Sequence, residues 1–428
     1  MSTSKNCLPS GMKVRMSRGS AIYLRGLLLL AFGISFPVLT NAQAPAAPQA
    51  KRTFVGSERC KACHPDVYSN WQKTRMANVV RDPKTHPEAV MGDFSKPDPA
   101  RPFDLGQVAF AYGSRWKQRY WAKQGDDYYV LPAQWDIKHS RWLPFHVEKN
   151  ADWWVAYYGE DNKDRPTGPL CDGCHSVNYD IATKKPTEWN VGCEKCHGPG
   201  SEHVAGPRKD NIVNPAKLDF VRANDVCIQC HSQGRPTANP VNGKYYDWAV
   251  GYLPGDRLAD HWQLEDQKFG VKDFYYFQDG TAHKNRMQGN DFAQSVMYHR
   301  GVRCFDCHDV HSDRYESDLV LPVQNNDLCL KCHGPDTIPG PHMSIAEHTH
   351  HAAASEGSKC IACHMPNIET TLGDNMVAAH TFRFISPELT RQFQIPNPCN
   401  TCHADKSPDW ALEQLRSWQT VSPWRVLR

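Results

Sequence analysis

Sixteen of the 17 cysteines in this 428-residue chain fall into one pattern, Cys-x-x-Cys-His, which occurs eight times. The copies are Cys60 and Cys63 with His64, Cys171 and Cys174 with His175, Cys193 and Cys196 with His197, and Cys227 and Cys230 with His231. Then come Cys304 and Cys307 with His308, Cys329 and Cys332 with His333, Cys360 and Cys363 with His364, and Cys399 and Cys402 with His403. The chemistry of this pentapeptide is haem c attachment: two thiols add to the porphyrin vinyl groups and the adjacent imidazole binds iron from one face. On a helical turn, residues three and four apart share a face, so both thiols and the imidazole converge on one ring. Structural zinc and disulfide frameworks also use paired cysteines, but neither explains a histidine after every pair. A thioredoxin-like redox pair needs one Cys-x-x-Cys beside a βαβ unit. The pattern predicts eight covalently attached haems, with 16 cysteines as attachment points and eight histidines as proximal ligands.

What the irons can do depends on their sixth ligands. Thirteen histidines lie outside the motifs: His86, His139, His146, His203, His261, His283, His299, His311, His342, His348, His350, His351 and His380. Eight of them would saturate every iron and make a pure electron carrier, whereas one open iron would make a candidate enzyme. His139, His146 and His261 fall in haem-poor stretches and read as ordinary residues. His348, His350 and His351 are so close in sequence that one or two of the three are expected to reach iron.

The elements that must position these groups are short. Successive motifs begin 111, 22, 34, 77, 25, 31 and 39 residues apart. This spacing predicts a first haem with an insertion (45–170), a three-haem segment (171–235), a haem-free connector (236–300) and a four-haem segment (301–428). Helices are expected at 65–80, 288–302 and 408–419, the last opened by Ser407-Pro408-Asp409. Alternating aromatics at 104–112, 116–121 and 128–135 around Gly125-Asp126-Asp127 predict a small antiparallel insertion near 104–135. Trp116, Trp121, Trp135, Trp142, Trp153 and Trp154 are expected to pack against sheet and haem rather than form a ligand platform. Cys196-His197-Gly198-Pro199 is echoed by Cys332-His333-Gly334-Pro335, followed by His203 and His342, as a duplicated two-haem unit would produce. The fold class expected is a mainly α, loop-rich multihaem cytochrome c fold organised around its haems. With 28 Gly, 31 Pro and 45 aromatics, much of the core would be porphyrin.

Residues 1–44 carry five basic residues and no acid, an apolar run from 26 to 39, and Ala42-Gln43-Ala44. They read as a secretory signal peptide cleaved after Ala44 and imply a periplasmic or extracellular protein. The apolar run is short for a membrane span, and the mature chain shows none. That segment holds +5 of charge against a formal net charge of +3, so the mature chain is near −2 before the haem propionates are added. Such a balance gives no case for nucleic-acid binding.

Several stretches around the motifs carry a family resemblance. They are Phe54-Val55-Gly56-Ser57, Trp189-Asn190-Val191-Gly192-Cys193, Gly198-Pro199-Gly200-Ser201-Glu202-His203, Met297-Tyr298-His299-Arg300-Gly301-Val302, Asp309-Val310-His311, 357–360 with Met365-Pro366, and Ile395-Pro396-Asn397. In these the chain resembles exported multihaem cytochromes related to cytochrome c-554, hydroxylamine oxidoreductase and octahaem tetrathionate or nitrite reductases, some fused to tetratricopeptide repeats. The resemblance implies His203, His311, His351 and His380 as leading distal ligands, with His86, His283, His299, His342 and His350 behind them. It also exposes a departure, because Met76 stands where relatives carry a histidine after the first haem. Either Met76 ligates through sulfur, or His86 takes over, or the first iron is open; plain packing is the competing reading of Met76.

Three function classes follow. One is a carrier passing electrons between a redox-protein or quinol-linked donor and an acceptor. Another is an enzyme acting on a small nitrogen or sulfur compound (nitrite, hydroxylamine, tetrathionate, sulfite) at one open haem. The third is the protomer of an oligomeric cytochrome filament. The carrier is favoured because all eight motifs end in His. Acid–base candidates such as Tyr179, Lys184, Lys185, Arg222 and Tyr275 are too numerous for the sequence to rank.

Overall fold

The computed structural model describes residues 52–145, 165–334, 343–369 and 376–418. The expected signal segment 1–44 lies outside them, as do His146, Trp153, Trp154 and His342. The described residues belong to one unit, Lys51–Arg428. Its helices are short and mostly built on the motifs, as in Cys193–His197, Cys304–Cys307, Asp327–His333, Cys360–His364 and Pro398–Cys402. The expected helix-rich, loop-rich architecture with small antiparallel sheets is what the chain adopts.

Local side chains explain why two expected helices are broken. The stretch 65–80 stops at Trp71 after starting at Pro65. Thr74 Oγ1 donates to the Trp71 carbonyl at 2.7 Å, and Asn78 Nδ2 donates to the Gln72 and Thr74 carbonyls. Carbonyls that would propagate the helix are therefore taken by side chains. The stretch 288–302 divides into Gln288–Ala293 and Val296–His299 because the Ser295 hydroxyl accepts from Tyr298 N and starts a new helix. The C-terminal helix, Pro408–Ser417, begins as the sequence predicts, with Ser407 Oγ accepting from Trp410 N at 3.1 Å.

The insertion is a five-stranded antiparallel sheet in the order β1 (Val80–Arg81), β2 (Phe110–Tyr112), β3 (Lys117–Gln124), β4 (Asp127–Asp136) and β5 (Arg141–Pro144). It is larger than the predicted insertion, since β1 and β5 lie outside it and only the end of 104–112 is strand; Leu105–Gln107 is a 3-10 turn. One face carries the buried cluster of Phe103, Tyr120, Trp135 and Trp142, whose aromatic contacts are worth roughly 1 kcal/mol per pair beyond their burial. Trp121, Trp135 and Trp142 are all buried, as the packing reading expected. The other face presents Phe110, Tyr112, Trp121 and Tyr128 towards the second haem motif.

Candidate haem sites

The motifs are joined in pairs by one recurring contact. The residue three positions before the first cysteine of one motif accepts a hydrogen bond from the first cysteine's backbone N–H of another. Ser57 Oγ accepts from Cys193 N at 2.8 Å, Asn224 Oδ1 from Cys304 N at 2.9 Å, and Asn326 Oδ1 from Cys360 N at 2.8 Å. At the same junctions the thiols of Cys60 and Cys193, Cys227 and Cys304, and Cys329 and Cys360 lie close enough to interact. A fourth thiol contact joins Cys174 and Cys230. Weaker electrostatic contacts link Cys196 with Cys227, Cys307 with Cys332, and Cys363 with Cys399 and Cys402. In motif order these contacts run 1–3–4–5–6–7–8, with motif 2 attached as a branch on motif 4.

The first junction shows how such a contact is built. Glu194, buried within the third motif, accepts from Val55 N, from Gly56 N at 2.8 Å and from Gly200 N at 2.7 Å. Glu188 accepts from Ser57 Oγ at 2.6 Å. Gly192 packs so closely that a Cβ there would meet Glu188 Oε1 at 1.8 Å. Two carboxylates thus hold the chain before haem 1 against the haem 3 motif.

Four proximal histidines stand opposite a second imidazole. Ring centres are 6.4 Å apart for His64 and His203, 6.1 Å for His197 and His311, 6.4 Å for His364 and His348, and 6.3 Å for His403 and His351. Interplanar angles in these pairs run from 12° to 33°. Two imidazoles on one iron, each with a metal–nitrogen bond of about 2.0 Å, would hold ring centres about 6.2 Å apart. The pairs fit an iron between them.

Second partners fix the rings. His197 Nδ1 pairs with Val213 O at 2.8 Å, His351 Nδ1 with Thr349 O at 2.6 Å, and His203 Nδ1 with Asn211 Oδ1 at 3.0 Å. A ring that donates from Nδ1 leaves the Nε2 lone pair for metal. Burial lowers the pKa of His197, and pushes His231 and His380 down to about 4, keeping these imidazoles in the neutral form that binds iron.

The other candidates are placed as follows. His380 is buried, with its backbone N–H donating to Asp291 and its Nδ1 paired with the Ala378 carbonyl, and it feels the charge of His308 and His231. Of the cluster of three, His348 and His351 face proximal histidines, while His350 stacks on Trp418 at 4.2 Å. Two of the three thus face proximal histidines, and His348 stands where His350 was expected. His203, not Met76, stands opposite His64, and the Met76 carbonyl accepts from Val191 N in a 3-10 turn. His86 is exposed beside Glu88, His299 is exposed beside Tyr298, and His283 packs edge-on to Phe277. His139 and His261 pair with Asp136 and Asp256, as ordinary residues would. Among the described residues no group of three or more His, Cys, Asp or Glu converges as a metal site.

The second motif differs from its neighbours. It sits in a buried wide turn, Gly168–Asp172, with Trp248 packed so tightly that a Cβ on Gly173 would meet its ring at 1.9 Å. The group facing His175 Nε2 is the hydroxyl of Tyr112, at 2.5 Å. Beside it lies a cavity of about 90 Å³ lined by Arg119, Gln233, Asp247, Lys284 and Arg286 among others. Burial, reinforced by Arg286, pushes His175 down to about 3 and Lys284 down to about 7. Lys284 Nζ donates to Gln233 Oε1 at 3.0 Å. None of these lining groups was singled out in the sequence. They come from strand β3, the end of the three-haem segment and the haem-free connector, and no local spacing links them to His175.

Family models match two parts of the chain: "Cytochrome c554 and c-prime" over residues 59–104 and 134–198, and "Doubled CXXCH motif" over 298–337. Two curated relatives are similar. The multiheme cytochrome MtrA of Shewanella baltica is 25% identical over 223 residues, covering 48% of this chain and 63% of that one. The dissimilatory sulfite reductase MccA of Wolinella succinogenes is 22% identical over 413 residues, covering 74% and 51%. The chain thus spans between half and two thirds of these relatives' lengths. The structure of the outer cell wall cytochrome OcwA superposes with a TM-score of 0.70 at 22% identity, covering 86% of this chain and 87% of that one, and shows the shared fold. Histidine pairs spaced for iron, thiols brought together motif by motif, and these matches converge on one assignment: the chain belongs to the multihaem c-type cytochromes.

Proposed function

We propose that this protein is an exported octahaem cytochrome that carries electrons between redox partners in periplasmic or extracellular respiration. The observation that carries the reading is the set of four imidazole pairs at iron-spanning distance, on motifs whose attachment cysteines interact from one motif to the next. Saturated, neighbouring haems suit outer-sphere electron transfer and offer a substrate no coordination site. The contact order makes the first and eighth haems the two ends of the line. Cys63 and Cys402 are exposed there, which suits exchange with donor and acceptor proteins. No described helix is long and apolar enough to cross a membrane. A reductive titration of the holoprotein tests the reading: eight electrons per chain are expected, and fewer would contradict it.

A specific observation favours a second activity at the branch. Among the described residues no imidazole faces His175, and the cavity beside it, lined by Arg119, Lys284 and Arg286, would adjoin the second haem. When bound, the haem supplies an iron that can bind and reduce a small molecule. The cationic side chains would bind and orient an anion such as nitrite or sulfite, and the Lys284 ammonium would donate hydrogen bonds or protons to it. A high-spin ferric signal that shifts on adding nitrite supports this activity. A ferric protein with only low-spin haems rejects it and leaves the carrier reading intact.

A further inference from the structure

The turn between β2 and β3 ties the sheet to the fifth haem motif. Gly113 opens it at φ +88°, so tightly that a Cβ there would meet the Lys117 carbonyl oxygen at 2.7 Å. The Arg115 guanidinium lies over the Trp116 ring, 5.2 Å from its centre, and bonds a segment 201 residues further along the chain. Its Nη1 donates to Ser317 Oγ at 3.0 Å and its Nη2 to Glu316 Oε1 at 3.2 Å. The carbonyl of the same Ser317 pairs with Nδ1 of His308, the proximal histidine of the fifth motif, at 2.9 Å. Ser317 and Asp318 both stand in the left-handed region, with φ of 61° and 55°. Residues with a Cβ keep that conformation where their surroundings hold it. Backbone bonds hold the far end, Asp309 N donating to the Asp318 carbonyl at 2.6 Å and Val320 N to the Cys307 carbonyl at 3.0 Å. Arg115 holds the near end. An ion pair with a carboxylate 66% exposed adds little to overall stability, so what this one governs is local, the stance of the Ser317 carbonyl.

We propose that Arg115 is a positioning residue for the fifth haem, holding the 316–318 turn so that the Ser317 carbonyl accepts from His308 Nδ1. The proposal rests on the octahaem reading in needing an iron on His308. A ring that donates from Nδ1 leaves Nε2 for that iron, and a fixed acceptor makes the ring a more electron-rich ligand. Such a ligand favours ferric iron, so the bond keeps the potential of this haem low. The Arg115 cation works the other way, since a positive charge nearby favours ferrous iron. The two effects separate in a variant that keeps the charge. The turn springs from β2, whose Tyr112 hydroxyl faces His175, so one hairpin reaches the proximal histidine of the second motif directly and that of the fifth through Ser317.

Haem-peptide mass spectrometry of wild type comes first: a fifth motif without haem overturns the octahaem reading and the positioning role with it. With haem there, a spectroelectrochemical titration and low-spin EPR of the holoprotein read the role. Arg115→Lys keeps the charge and loses the planar fork that spans both acceptors. It should raise one of the eight potentials, leave the other seven in place and shift one low-spin EPR signal. Adding Ser317→Gly, which takes a left-handed φ without steric cost, should bring that potential back towards the wild-type value. Eight unmoved potentials in Arg115→Lys overturn the positioning role alone, whether or not Arg115→Met lowers one by loss of charge. A rise that Ser317→Gly leaves in place overturns it too.

Discussion

Replacing His203 by Gly is expected to add one high-spin haem equivalent to the ferric protein. The magnitude follows from stoichiometry: His203 faces His64 with ring centres 6.4 Å apart and planes at 13°, so one iron, and only that iron, loses an axial ligand. If the second haem is already open, the high-spin fraction rises from one eighth to two eighths of the eight-haem total predicted from the motifs. The lost ring leaves a slot of imidazole shape, with Asn211 Oδ1 and the Arg208 carbonyl, at 3.0 and 3.1 Å from Nδ1, still in place to hold a free imidazole. Added imidazole should therefore return the signal to its wild-type intensity. Met76→Ala should add nothing. Spin quantitation of the high-spin EPR signal reads all three cases. If His203→Gly leaves that signal unchanged while Met76→Ala raises it, the pairing of the first haem is misread.

Other perturbations test the remaining joints. Gly173→Ala drives a Cβ into the Trp248 ring at 1.9 Å and should yield a protein lacking one haem by haemochrome assay, with the others attached. Glu194→Ala removes the acceptor of three backbone N–H groups and should cost about 3 kcal/mol or more of holoprotein stability in a denaturant titration; an unchanged midpoint contradicts its anchoring role. Lys284 is pushed down to about 7 by burial first and then by Arg286, so its cation is present below that pH and lost above it. Nitrite affinity at the second haem should fall as pH rises through about 7, and Lys284→Met should flatten that step; a wild-type affinity independent of pH between 6 and 9 would show that Lys284 does not face the anion.

Haem attachment was legible in the sequence because it needs only five consecutive residues. The resemblance pointed to His203, His311 and His351, which are the imidazoles standing opposite His64, His197 and His403. The failures are non-local. Met76 drew suspicion because the first haem's partner was sought after Trp71, whereas His203 reaches it from beyond the third motif. Which of His348, His350 and His351 would face a motif was not legible, and only the capped helix Ile345–Thr349, which turns at His350 in left-handed conformation, separates their directions. The pocket at His175 is assembled from Tyr112, Arg119, Lys284 and Arg286, brought together by tertiary packing. The sheet was half legible: the hairpin at Gly125 follows from alternation and a turn glycine, but two-residue β1 is strand only because β2 lies beside it. The polar residue three before Cys60, Cys227 and Cys329 was a visible signal that gained meaning once each was seen holding another motif.

The central claim is a line of six-coordinate haems with one differently ligated haem on a side branch, and an iron-resolved structure of the holoprotein tests it most directly. Eight irons are expected in the order 1–3–4–5–6–7–8 with the second beside the fourth, His203, His311, His348 and His351 on the irons of His64, His197, His364 and His403, and no second imidazole on the iron of His175. An imidazole on both faces of that iron, or a second haem placed within the line rather than beside it, would contradict the account.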